Sequence, residues 1–99
     1  MFSHDQVVKF MVGELGVIVD QNRLGEETVE LYQEEIDEEI ISSKGLAHLP
    51  NPVTVQTFVY DDEFLVEWVI GIAFDVTAKY PLLLFCLKDG VSVYERLLI

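Results

Sequence analysis

Eight of the fourteen residues in EETVELYQEEIDEE, Glu26 to Glu39, are carboxylates, and none is Lys, Arg or His. Carboxylates at this density could hold a hard cation, serve acid–base chemistry, or present a negative surface to a basic partner. A transition-metal site ordinarily adds His or Cys. His4 and His48 stand far apart in the chain, without a cysteine cluster. His4 reads as a first-turn helix residue beside Asp5, and His48 as a linker residue. Asp61-Asp62-Glu63 lacks the alternating oxygen ligands and the glycine of a calcium loop, so it reads as a solvated turn. Nucleophilic chemistry finds little material: Ser92 and Cys86 lie far along the chain from both histidines, and no phosphate-cradling glycine loop is present. No catalytic residue, metal ligand or cofactor is assigned, and a non-enzymatic protein is expected.

The order Glu26-Glu27-x-x-Glu30, then Glu34-x-x-Asp37, resembles in residue types the EExxE…ExxD metal-binding signature of MazG-type nucleotide pyrophosphohydrolases. In that family the two halves lie on separate helices that converge on magnesium. The resemblance therefore implies a metal-dependent nucleotide hydrolase as the alternative reading. Here only a short spacer separates the halves, which puts both on one helix with the ligands diverging around it. VVKFMVGELGVIVDQ and LGEETVELYQEEIDEEI also look like the first helix and acidic second helix of acyl carrier proteins. Carrier function needs a serine at the start of that second helix, and none occurs between Ser3 and Ser42.

The elements that must position these residues fall into two grammars. At the N-terminus, Ser3 and Gln6 form a capping box, with Phe2 placed to staple onto Val7. Val7, Val8, Met11, Leu15 and Ile18 then recur at helical spacing. Val29, Tyr32, Ile36 and Ile40 fall in one stripe roughly 80° wide, which predicts a second helix through the acidic run, ended by Ser42-Ser43-Lys44-Gly45. Helical residues 3–44, a Pro-containing linker 45–52 and a β-rich part 53–99 make up a single domain.

From Val53 the period becomes two. VTVQTFVY reads as a strand, and FLVEWVIGIAFDVTAKY as a long one bent near Gly71, with a helix as the competing assignment. Asp89-Gly90 reads as a type I′ hairpin turn that sets Lys88 opposite Val91, Cys86 opposite Val93 and Leu84 opposite Glu95. The expectation is an α+β fold, two N-terminal helices on a C-terminal antiparallel sheet of about four strands. Both faces of the last hairpin are apolar, so a homodimer through the uncovered sheet face is expected.

Composition bounds the partners. The chain has 99 residues, 51% of them hydrophobic, with eighteen Asp and Glu against six Lys and Arg, for a net charge of −12. Such a field repels nucleic acid and anionic membranes and attracts basic proteins. MFSHDQVVKF has neither a basic n-region nor a long apolar stretch, and FLVEWVIGIAF is shorter than a bilayer span, so a cytoplasmic location is expected.

On a helix, the like charges at i,i+3 and i,i+4 within the acidic run would cost roughly 1.5–3.5 kcal/mol at low salt. A solvating face could avoid that by mixing in Lys. The expected function is therefore a small interaction protein whose Glu26, Glu27, Glu30, Glu34, Asp37 and Glu38 bind or occlude a basic partner, in the manner of immunity proteins, inhibitors or chaperones. A purely structural dimeric subunit is the remaining alternative.

Overall fold

The computed structural model describes residues 1–99. Helix α1 (His4–Phe10) precedes β1 (Gly25–Leu31), a short helical turn α2 (Ser43–Leu46), β2 (Val53–Asp61), β3 (Glu67–Phe74), β4 (Pro81–Lys88) and β5 (Val91–Leu97). The strands form one antiparallel sheet in the order β1-β2-β3-β4-β5. The fold is α+β, with one N-terminal helix and five strands. No helix is long and apolar enough to cross a membrane.

The N-terminal helix starts as its sequence dictates. Ser3 accepts from the Gln6 amide at 3.2 Å, and the Gln6 side chain accepts from the Ser3 amide at 2.8 Å. The helix continues as a wider π-helical segment, Met11–Leu15, until Gly16 adopts φ 68°. That left-handed residue turns the chain, so Ile18, expected on the helix face, is 85% exposed while Val19 is buried.

The expected second helix is absent. Its first half is strand β1, and Gln33–Glu35 forms a single 3₁₀ turn. A strand through the whole run would set Glu35, Asp37 and Glu39 beside Val29 and Leu31. The strand avoids this by ending at Leu31, where the turn re-aims the chain. Extension also removes the helical like-charge stacking, because successive glutamates now point to opposite faces. Gly45, expected beyond a helix end, lies within α2, buried against Leu83, Ile41 and Glu95.

The 64–80 segment is a strand only between Glu67 and Phe74, which excludes the helical alternative. Leu65 at φ 61° and Ala78 at φ 58° mark the turns that flank it. Its irregularity falls between Ala73 and Phe74 rather than at Gly71. Gly71 serves another end: a Cβ there would stand 2.1 Å from Cζ of Phe85, whose ring lies over the bare backbone.

Asp89 and Gly90 both take positive φ, 48° and 79°, as a type I′ turn requires. Lys88 pairs with Val91, but a bulge between Cys86 and Leu87 then shifts the register. Cys86 faces Tyr94 and Leu84 faces Arg96, one residue beyond the expected partners. Tyr94 thereby joins Leu84 and Cys86 on the helix side, where it meets Phe10 at 5.1 Å between ring centroids.

Two apolar clusters sandwich the sheet. On the first face, Val7 and Met11 of α1 pack with Phe58, Ile70, Ile72 and Phe74. On the second, the strap from Tyr32 to Pro52 lays Ile36, Ile41 and Leu49 over Val53, Val55, Ala73 and Leu83. Gln33 pins the strap by donating to the carbonyls of Leu49 at 2.8 Å and Leu46 at 3.2 Å. Glu95 of β5 accepts from the amide and hydroxyl of Ser42. The second face, which two short helices were expected to leave bare, is covered at one end by the chain's own strap.

Gly71→Ala is expected to lower the unfolding free energy by about 1–3 kcal/mol, because the Phe85 ring must leave its seat. Combining it with Phe85→Leu should recover part of that loss relative to the sum of the two single changes, as read by urea denaturation.

Candidate interaction surface

Strand β1 is an edge of the sheet, and its alternation splits the candidate residues between two faces. Glu26 stands opposite Phe58 and Glu30 opposite Thr54, while Glu27 stands opposite Thr57. Glu34 lies in the 3₁₀ turn and Asp37 and Glu38 in the strap beyond it. Glu26 and Glu30 thus face one side of the sheet and Glu27 the other, while Asp37 and Glu38 belong to the strap that crosses the second face, so the six do not form the single helical face expected of them.

Their surroundings differ. Glu26 is tied into the fold through Gln56, which is 1% exposed. The Gln56 amide donates to Glu26 Oε2 at 2.8 Å and to the Phe2 carbonyl at 2.9 Å, and its oxygen accepts from the Phe2 amide at 2.9 Å. His4 Nε2 lies 3.4 Å from Glu26 Oε1, within ion-pair range though without an aligned hydrogen bond. The His4 ring meets Phe58 edge-on at 5.5 Å. This cluster holds the N-terminus against the sheet.

The others are freer. Asp37 accepts from the Glu39 amide and Glu35 from the Tyr32 amide, local bonds that shape the strap. The side chains of Glu27, Glu30, Glu34 and Glu38 are exposed and engaged in no hydrogen bond or ion pair. Lys9–Asp5 is an ion pair, and His4 stands within ion-pair range of Glu26. A run of carboxylates thus faces solvent with no Lys or Arg partner.

No group of three or more His, Cys, Asp or Glu side chains is arranged to hold a metal ion. Glu26 and Glu27 point to opposite faces of a strand, so the residues that resemble a magnesium-binding signature do not converge. Burial pushes the Cys86 thiol up to about 11, which keeps it protonated and unreactive near neutral pH.

Two clefts accompany this surface. One, of about 540 Å³, opens between Gly16–Asp20 and the β2–β3 turn. Its polar groups are largely engaged: Arg23 donates to the Asp61 carbonyl and lies over the Tyr60 ring, and Asp20 accepts from the Asn22 amide. Asp62 accepts from the Trp68 indole at 3.1 Å and from the Phe64 and Val66 amides. The indole bond, outweighing partial desolvation with help from the two amides and Lys88, holds the Asp62 carboxyl below the usual value. The second cleft, of about 190 Å³ and almost wholly apolar, runs between the strap and the second sheet face.

The sequence pattern did not single out Gln56, whose amide anchors Glu26. A glutamine centred in the alternating VTVQTFVY was the available signal.

Gln56→Leu is expected to destabilise the fold by about 1–3 kcal/mol, because the Phe2 backbone and Glu26 lose their buried partner. Thermal or urea unfolding checks this. Asp62 contributes stability that is complete above its ordinary value of 3.8 and is lost as pH falls through the lower folded value. The stability difference between the wild type and Asp62→Asn should therefore shrink below pH 3.8 in urea titrations.

Comparison with protein-family models, curated proteins and solved structures finds no match in any of the three.

Proposed function

We propose that this chain is a non-enzymatic interaction protein that binds a basic partner along the border formed by β1 and the strap. The observation that carries this reading is the set of exposed carboxylates without a Lys or Arg partner, Glu27 and Glu30 on an edge strand, Glu34 in the turn beside it and Glu38 in the strap beyond. Unpaired like charges raise the local negative potential, which steers a cationic partner and favours its docking. The net charge of −12 extends that field over the whole molecule. Glu26 is set apart from the binding group, because its carboxylate is committed to Gln56 and His4.

A second reading rests on the same strand. Edge strands invite pairing with other chains, and charged side chains along the edge oppose it. Glu27 and Glu30 would then serve solubility alone, in a purely structural role.

The two readings separate in one experiment. Immobilised wild-type chain should retain a basic protein at low salt and release it as salt rises, with affinity falling about tenfold or more as screening sets in. Changing Glu30→Gln, Glu34→Gln and Glu38→Gln together with Asp37→Asn should abolish capture while leaving the fold intact. Capture that survives these changes, or that ignores salt, overturns the partner reading. Aggregation of the variant without loss of capture supports the edge-guarding role.

A further inference from the structure

The second face of the sheet is covered at one end only. The strap lies over Val53, Val55, Ala73 and Leu83, and beyond it the strand register continues in two rows that are only partly open, since Gly71, Phe85 and Leu87 in them are buried. In the nearer row Glu27, Thr57, Gly71 and Phe85 stand side by side across four strands. In the next, Val59, Val69 and Leu87 stand side by side. Thr57 and Val69 are half-buried, and Val59 is 39% exposed. The apolar cleft of about 190 Å³ opens here, with Ile36 and Ile40 of the strap as its wall.

Carboxylates border this floor on several sides. Glu27 borders it on β1, and Glu35 of the strap lines the cleft. Asp61 and Glu67, paired across β2 and β3, close its far end. The cations that the strands carry, Lys88 and Arg96, lie on the opposite face: Lys88 pairs with Trp68 and sits over its ring, and Arg96 pairs with Leu84. An apolar floor bordered by carboxylates without a Lys or Arg side-chain ion pair selects its occupant by complementarity. A second copy of this chain, at −12, would bring like charge to that rim.

We infer that this half-open face seats a basic amphipathic helix, with its apolar stripe on Val59 and Val69 and its Lys or Arg flanks on Glu27, Glu35, Asp61 and Glu67. The first face is covered in the same manner by α1, so a helix on the second completes a layered sandwich. The inference deepens the basic-partner reading proposed above and rests on it: it names the anchoring surface and the form of the partner's segment.

The test uses two fluorescent synthetic peptides of equal length and charge, one a leucine–lysine amphipathic helix and the other with serine in place of leucine. The leucine–lysine peptide should bind more tightly, shifting the amide NMR signals of Thr57, Val59, Val69 and Leu87. Val59→Gln with Val69→Gln leaves net charge unchanged and should weaken that peptide by about tenfold or more. Val59→Gln alone, at a part-exposed site, should weaken it in the same direction if the double variant is unstable. Glu27→Gln with Glu67→Gln should reduce affinity and flatten its salt dependence.

Equal binding of both peptides, or wild-type affinity in the valine variants, overturns the groove and leaves the acidic-border reading standing. Binding of neither peptide overturns both.

Discussion

The middle of the sheet is apolar on both sides, and the rest of the structure answers to that. Ile70, Ile72 and Phe74 of β3 face one way while Gly71 and Ala73 face the other, and all five are buried. In β4, Leu84 and Cys86 oppose Leu83, Phe85 and Leu87 in the same pattern. Strands of this kind have no solvent side, so two separate covers are required. A short chain must supply both from whatever is not strand. The N-terminal helix serves one face, and the strap between β1 and β2 serves the other. This explains why the strap is rich in irregular turns yet carries Ile36, Ile41 and Leu49 as buried anchors.

The same requirement decided what could be read from the sequence. The helix start, the β2 strand and the Asp89-Gly90 turn were legible because their determinants are local: a capping box, strict alternation, and two positive φ values. The acidic run misled because Val29, Tyr32, Ile36 and Ile40 satisfy helical spacing by coincidence. Val29 packs from β1 and Ile36 from the strap, two elements that meet the same cluster from different directions. The Cys86–Leu87 bulge and the use of Gly71 as a seat for Phe85 arise from pairing distant strands, which no local pattern encodes. For the candidate surface, residue types identified the negative border, whereas Asp61, Glu67, Val59 and Val69 came together only through the register of β2 and β3.

Electrostatics and backbone choice are linked in β1. A helix would have stacked carboxylates along its length, whereas the strand sends Glu26 and Glu30 to one face and Glu27 to the other. One of these, Glu26, accepts a hydrogen bond from Gln56 and so becomes part of the fold. The charge density that remains is concentrated beyond Leu31, where the chain lies on the surface and its carboxylates reach water. Edge protection and partner attraction are compatible uses of one charge distribution, since both follow from keeping the same oxygens unpaired.

The sheet order also bears on how the chain assembles. From β2 to β5 each strand pairs with its immediate successor through a short turn, so closing those contacts costs little chain entropy. Adding β1 is different, because the whole strap must be looped before β1 reaches β2. Chain entropy thus favours the four-stranded meander as the early structure in folding, with the N-terminal half, its helix, edge strand and strap, docking onto it later. In that order of assembly both apolar faces would be bare for a time, and the carboxylates of the undocked segment would then oppose association of partly folded chains.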